Sequence, residues 1–390
     1  MEEKILTRNV GKENSQSIEV YEKGGGYETL RKTLKELSPA DVIEKVKASG
    51  LRGRGGAGFP TGIKWSFFPA DAPGEKYLVC NGDEMEPGTY KDRQLLLADP
   101  HQLVEGMVIA AYAMQTPVGY IFLRYAYEDC AQRVERAIDE AVAAGYLGKN
   151  ILGSGFNLEL HVHRSAGRYI LGEETALLES IEGKKGQPRS KPPFPAVVGL
   201  YDCPTIINNV QTIASLPFII QEGADAYKAH GTEKSAGTHL FGISGHVEKP
   251  GMYELPLGLP LMEVLDKVAG GVWKGRQLKG VIPGGSSTPV LTAEEAKTVN
   301  LDYESMAEHK TMFGSGGIVV LDETVEIVKL VENLIYFYHH ESCGQCTPCR
   351  EGNYWMQHII ERIHSGEGTA HDVELLNNVT YQIQNKCLCA

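Results

Sequence analysis

The densest chemistry in the chain is a run of thiols. Cys343, Cys346 and Cys349 are spaced by two-residue gaps, and Cys387 and Cys389 follow close to the C-terminal end. Successive two-residue gaps let three thiolates reach one iron–sulfur cubane from a short loop, with a fourth thiolate supplied from elsewhere. Cys387 and Cys389 are the two candidates for that fourth position. Structural zinc also takes four thiolates, more often from two separated Cys-x-x-Cys pairs. Five unrelated thiols this close together would be an oxidation liability. Cys80, Cys130 and Cys203 stand alone, and we expect them to be ordinary buried residues.

Three further stretches carry groups suited to a flat or phosphorylated ligand. Gly53, Arg54, Gly55, Gly56, Ala57 and Gly58 match G-x-G-x-x-G by letter, but they follow a helical pattern where the dinucleotide fingerprint follows a strand. The run therefore implies close backbone approach to a ligand, with Arg52, Arg54 and Lys64 available for phosphate, or else a plain glycine-rich turn. Asn81, Asp83, Glu84 and Glu86 sit just beyond a β-rich run, where carboxylates can hold sugar hydroxyls or form a solvated acidic turn. Glu173 and Glu174 open a helical pattern, a placement the helix dipole favours whatever the function, and Asn208 and Asn209 could be turn residues. His161, His163, His339 and His340 have no partner at ligand spacing, and Phe59, Phe67, Phe68 and Phe194 are core residues by default.

These groups need elements to carry them. The polar opening through residue 36, with glycines at 24–26, reads as a flexible lead-in. Ser38 and Pro39 then start a helix that delivers the chain into the glycine run near residue 50. Between 71 and 237, β-rich runs at 77–80, 120–123 and 158–162 alternate with helical patterns at 128–144 and 173–181, which predicts a parallel α/β sheet. Residues 238–323 read as a small α+β unit with a helix at 261–269. Residues 324–390 read as a helical bundle around the thiol loop.

The bulk numbers agree with a multidomain globular protein. A chain of 390 residues exceeds one ordinary core, and 44 glycines imply many close backbone approaches. A net charge of −12 argues against nucleic acid as the main partner. No run approaches the roughly 18–20 apolar residues that cross a bilayer, and the first residues lack a signal-peptide core, so a cytoplasmic location is expected.

Taken together, residues 50–64, 81–92, 167–175, 188–195, 208–212 and 341–352 closely resemble the family of 51-kilodalton flavoprotein subunits of respiratory complex I, shared with diaphorase subunits of NAD-linked hydrogenases and formate dehydrogenases. The resemblance implies a Rossmann-like FMN and NADH domain, a ubiquitin-like β-grasp (soluble-ligand-binding) domain and a C-terminal bundle with a 4Fe-4S cluster. It implies FMN near Gly53, Arg54, Gly55, Gly56, Gly58, Lys64, Asn81, Asp83, Tyr169, Gly172, Glu173, Asn208, Asn209 and Thr212. NADH would lie against the flavin, with Glu86 and Glu174 as candidate catalytic carboxylates near its polar groups, Phe59, Phe67 and Phe194 around the adenine, and Lys191 nearby. Cys343, Cys346, Cys349 and, by alignment, Cys389 would hold the cluster. Family members usually carry threonine where Cys387 stands and continue beyond the fourth cysteine, so a chain ending at Ala390 is expected to be a fragment.

The implied function is electron input to complex I: hydride transfer from NADH to FMN, then one-electron transfer through the cluster towards quinone. The implied partners are a smaller 24-kilodalton-type iron–sulfur subunit and a large multi-cluster subunit, in an arm peripheral to the cytoplasmic face of the membrane. A diaphorase of a soluble hydrogenase or formate dehydrogenase is the first alternative. The lack of a fused ferredoxin-like cysteine domain disfavours it. A zinc-stabilised, non-catalytic binding protein is the second.

Overall fold

Ser38 caps the helix Pro39–Ala48 in a reciprocal capping box with Asp41, as the Ser-Pro start predicts. A computed structural model describes residues 2–70 and 73–389, so Ala390 lies outside the described residues. The opening segment is not a flexible lead-in. It forms the helices Ile18–Lys23 and Glu28–Glu36, and Tyr21, Leu30 and the N-cap residue Tyr27 are buried in the same core as Leu78 and Ile121. The glycine run is a packing device there, since a side chain on Gly26 would overlap the Tyr21 ring.

The expected strands form with small shifts: β1 (Tyr77–Gly82), β2 (Val118–Leu123), β3 (Glu159–Arg164) and an unanticipated β4 (Thr205–Asn209). All pair in parallel, in the order β3-β2-β1-β4. His161 and His163 lie on the edge strand β3, and Cys80 and Cys130 are buried as expected, whereas Cys203 is partly exposed. The helix Pro100–Met114 carries no amphipathic stripe to read because it is buried on nearly every side.

Glu105, on that helix, ties the N-terminal helices down. It is 1% exposed and accepts from Tyr27 N (3.1 Å), Leu30 N (2.9 Å) and the Tyr21 hydroxyl. Glu105→Ala strands three buried donors and is expected to cost about 3–5 kcal/mol in denaturant unfolding. Glu105→Gln keeps an acceptor and is expected to cost clearly less.

The second sheet contains β5 (Thr238–Gly245), β6 (Gly251–Pro256), β7 (Leu278–Ile282), β8 (Leu291–Thr292) and β9 (Gly317–Asp322), in the order β6-β5-β9-β7-β8. It is mixed, with β5 and β9 parallel, and it grasps the helix Leu261–Lys267 through Leu261, Val264 and Leu265. This is the expected β-grasp arrangement.

Three helices close the described chain: Ile327–Glu341, Thr347–His364 and Ala370–Ile383. His339 and His340 lie in the last turn of the first. Gly352 lets the second and third approach, because a Cβ there would stand 2.6 Å from Ile383 Cδ1. Among the described residues no helix is long and apolar enough to cross a membrane.

Candidate functional site

From β1 the chain moves outward to β2 and β3, then crosses to β4 on the other side of β1. Open α/β sheets bind ligands where the strand order reverses in this way, beyond the carboxyl ends of the strands. Here Asn81 lies in register with Asn209 across that crevice. Asn81 donates to Gly172 O at 2.8 Å, and Asn208 accepts from the Trp65 indole at 2.9 Å. The asparagine pair is therefore not a free turn: it ends β4, and Asn209 caps the helix Val210–Ala214. The buried pair Lys91 and Asp92 grips Asn209, with Lys91 Nζ donating to its Oδ1 (2.9 Å) and its Nδ2 donating to Asp92 (2.6 Å).

The glycine-rich loop reaches the same crevice. It leaves the helix Pro39–Ala48 and enters the helix Thr61–Ser66, a context distinct from the dinucleotide fingerprint. Arg54 N donates to Thr212 Oγ1 at 2.9 Å, and a Cβ on Gly55 would stand 3.3 Å from Asn209 Cβ. Gly58 has φ +65°, and the Tyr303 ring fills the space a side chain would need.

The two arginines expected at a phosphate are engaged elsewhere. Arg54 is 0% exposed and donates to Tyr227 Oη (3.0 Å) and Ala236 O (2.7 Å); its contribution to the loop is backbone. Arg52 pairs with Glu304 at 2.6 Å and stacks 3.9 Å over Tyr303. Buried Arg54 finds internal acceptors for Nη2 only, its Nε and Nη1 having no hydrogen-bond partner among the described residues. Lys64 is the cation left facing the crevice, with Nζ on Glu174 (3.1 Å) and on Ile207 O of β4 (2.9 Å).

The acidic stretch after β1 is not a solvated turn. Asp83 and Glu84 are buried. Asp83 Oδ1 accepts from Ser165 at 2.9 Å, Oδ2 has no hydrogen-bond partner, and burial pushes the group up to about 6 against the Ser165 bond. Glu84, raised by burial and by the neighbouring Asp92, accepts from Asp92 N, Arg93 N and the Tyr127 hydroxyl. It anchors the helix Lys91–Ala98.

Glu86 is wedged between the two sheets. It accepts from the Tyr169 hydroxyl (2.5 Å) and from Ser287 N (2.7 Å), and Ser286 Oγ meets the Tyr338 hydroxyl at 2.7 Å. Ser286 N donates to Pro87 O at 3.0 Å. Gly285 (φ +104°) and Gly317 make room, because a Cβ on either would come within 2.5 Å of Glu86 Cγ and of Gly88 O respectively. Burial, then Glu86, raises the Tyr169 phenol.

Glu173 accepts from Thr175 N and Ala176 N, a helix cap as its position predicted. Glu174 lies between Lys64 (3.1 Å) and Lys191 (2.9 Å). Burial alone would raise its carboxyl, but the two ammonium groups outweigh it and hold the carboxyl below its ordinary range. Phe59, Phe67 and Phe194 are 50%, 62% and 59% exposed, so they are not core residues, while Phe68 is buried. They flank Lys64 and Lys191 along the chain and offer ring faces to solvent.

The thiol loop adjoins this network. Tyr169 N donates to Glu341 Oε2 (3.0 Å) and Gln187 Nε2 to Cys343 O (3.2 Å). All eight cysteines are free thiols. Cys349 Sγ accepts from Asn353 Nδ2 (3.2 Å) and Cys346 Sγ from Leu388 N (3.3 Å), the kind of bond that tunes a cluster's sulfurs. Cys346 caps the helix Thr347–His364, whose positive end favours anionic thiolates. Burial and the fields of Cys349, Cys343 and Cys346 raise Cys389 to about 11, whereas among these thiols Cys387 feels Cys349 and Cys346.

The donor set fits the expected groups. The unpartnered Asp83 Oδ2 is an acceptor suited to a ribityl hydroxyl, and the open glycine loop beside Lys64 suits a phosphate. Among the described residues no three His, Cys, Asp or Glu side chains are placed to hold a single metal ion, whereas a cubane spreads its thiolates over separate irons. Sequence reasoning missed Lys91, Asp92, Ser165, Ser286, Ser287 and Asn353. The Gly-Gly-Ser-Ser-Thr turn at 284–288 was a readable signal for two of them.

Comparison with known proteins places this geometry. Residues 46–217 match the Nuo51 FMN-binding domain, 239–320 an SLBB domain, and 329–390 the iron–sulfur binding region of NADH-ubiquinone oxidoreductase-F. The last match sets aside the zinc reading. The F 2 subunit of NADH-quinone oxidoreductase of Rhizobium meliloti (strain 1021) is 51% identical over 390 residues, covering 100% of this chain and 92% of that protein. The F subunit of NADH-quinone oxidoreductase of Streptomyces coelicolor is 51% identical over 386 residues, covering 99% and 85%. A solved NAD+-reducing NiFe-hydrogenase in the H2-reduced state superposes with a TM-score of 0.85 at 34% identity, over 98% of this chain and 62% of that one. With full-length identity at this level to two F subunits, the chain belongs to the family of NADH-quinone oxidoreductase F subunits.

Proposed function

We propose that the crevice between β1 and β4 seats FMN, that NADH binds against it, and that Cys343, Cys346, Cys349 and Cys389 hold the 4Fe-4S cluster of an electron-input subunit of NADH:quinone oxidoreductase. When bound, FMN would supply two-electron hydride acceptance and one-electron release, and the cluster one-electron transfer. The chain's residues position and shield. Asn81 and Asp83 meet sugar hydroxyls, and Lys64 with the glycine-loop amides holds the phosphate. Glu86, fixed by Tyr169 and Ser287, and Glu174, fixed by Lys64 and Lys191, face polar groups of NADH without taking a proton from it. The observation that carries the reading is the direct contact of the segment bearing Gly172, Glu173 and Glu174 with the thiol loop through Glu341 and Gln187.

The units assigned are 1–70, 71–237, 238–323 and 324–390. The partners assigned are a smaller iron–sulfur subunit and a large multi-cluster subunit, at the cytoplasmic face of the membrane. Tyr336, Trp355 and Tyr381 of the bundle, 58%, 55% and 62% exposed, support docking there. The hydrogenase superposition favours a diaphorase as the second reading, and the subunits encoded alongside this chain discriminate the two.

The test is the absorption spectrum of anaerobically purified protein before and after NADH, with metals quantified. Flavin bands near roughly 450 nm that bleach with NADH, and about four irons per chain, are expected. Zinc without iron or flavin, and no NADH response, would overturn the reading.

Two further results are expected of this site. Phe194→Ala removes an exposed ring, so unfolding stability stays within about 0.5 kcal/mol. Loss of a base-stacking face worth about 1–3 kcal/mol raises the KM for NADH about tenfold in steady-state assays.

The other concerns pH. Hydroxyl donors favour the Asp83 carboxylate, so FMN binding releases a proton below its raised pKa. FMN affinity is then expected to rise as pH climbs from 3.8, the ordinary value, to about 6, and to level off above. The FMN-free fold shows the opposite sign, its Asp83 contribution being full at low pH and lost as pH rises through about 6. FMN titrations across this range check both, and Asp83→Asn is expected to flatten them.

A further inference from the structure

We infer that Cys387 is an exchange ligand for the cluster's fourth iron, able to take the place of Cys389. The inference rests on the assignment of Cys343, Cys346, Cys349 and Cys389 as resident ligands.

Two observations carry it. The residue between the two cysteines, Leu388, donates its backbone N–H to Cys346 Sγ at 3.3 Å, which pins this stretch of chain onto the thiol loop. Cys387 and Cys389 therefore flank one fixed point, each a single residue from it. The helix Ala370–Ile383 has ended, Asn385 turns the chain at φ 58°, and residues 386–389 follow in no regular element. Exchange requires the Leu388 contact to release, and Leu388, 46% exposed, leaves no core behind.

The exchange is a ligand substitution. The iron–sulfur bond to Cys389 breaks and the freed Cys389 thiolate takes a proton from solvent, while the Cys387 thiol gives its proton to solvent and its thiolate binds the iron. No electrons are gained or lost. The cluster thereby keeps four thiolates when the Cys389 sulfur is alkylated or oxidised, a lesion that would otherwise open one iron to solvent.

The test uses the full chain purified anaerobically, with iron per chain and the EPR spectrum of the dithionite-reduced cluster as readouts, and circular dichroism to verify folding. Cys389→Ala is expected to keep about four irons with shifted g values, and Cys387→Ala/Cys389→Ala to fall to about three or fewer. Iron loss in Cys389→Ala equal to that of the double variant would overturn the exchange. So would four irons in the double variant, which would mean a solvent ligand, or an unshifted spectrum in Cys389→Ala, which would make Cys387 the resident ligand. Cys343→Ala is the control: if it keeps four irons, the assignment of the cluster itself fails.

Discussion

Cys346→Ala is expected to cut the electron path in two: NADH still bleaches the flavin, and quinone reduction is lost. Cys346 sits where the thiol loop becomes a helix, and its sulfur accepts from Leu388 N, so the proposed cluster ligand also holds the returning end of the chain. Loss of supporting hydrogen bonds around metal ligands costs about 10–100-fold in affinity or activity, and loss of a ligand exceeds that. Quinone reduction should thus fall by more than about 100-fold. Among the described residues the crevice between β1 and β4 shares no hydrogen bond with Cys346, so flavin content and NADH-driven bleaching should stay near wild type. Stopped-flow absorbance at the flavin band, beside a quinone-reduction assay on the same assembled complex, separates the two steps. Flavin lost together with iron would instead mean that the thiol loop supports the crevice.

Lys64→Ala is expected to empty the flavin site without unfolding the chain. With Arg52 committed to Glu304 and Arg54 to Tyr227, Lys64 is the cation left on the open side of the glycine loop. A hydrogen bond to a charged group contributes about 1.5–3 kcal/mol, so FMN affinity should weaken about 10–150-fold. Glu174 keeps Lys191 at 2.9 Å, so no carboxylate is left unpaired and the melting temperature of the FMN-free protein should change little. Lys64→Arg restores charge but not the compact ammonium, and should recover affinity only in part. Fluorescence quenching of FMN on titration with each variant reads the series.

The alternation of β-rich and helical runs made the parallel sheet legible, because strand and helix periodicities differ and each expected strand lay within a few residues of its observed place. The helix Pro100–Met114 was not, since burial on all sides erases the polar face that periodicity needs. The N-terminal helices were hidden by the opposite cause: a polar stretch folds there because Glu105 gathers its buried donors from far along the chain. At the site, spacing alone identified the thiols. It misjudged Arg52 and Arg54, because a sequence shows a charge but not the tyrosines and the carboxylate that claim it. It misjudged the three exposed phenylalanines for a related reason, since apolar residues are core by default and the exceptions are set by surfaces assembled in three dimensions.

The wedge that holds Glu86 has a consequence for how such chains can be recombined. The loop after β1 is clasped by Gly285, Ser287 and Gly317, residues some two hundred positions later that belong to the other sheet. A chimera that grafts the second sheet of one relative onto the first sheet of another would join two halves of a single clasp. Its yield would follow how well the grafted glycine turn matches the host's loop, more than overall identity. The seam between the sheets is thus a poor crossover point, and productive breakpoints should carry both sides of the clasp from one parent.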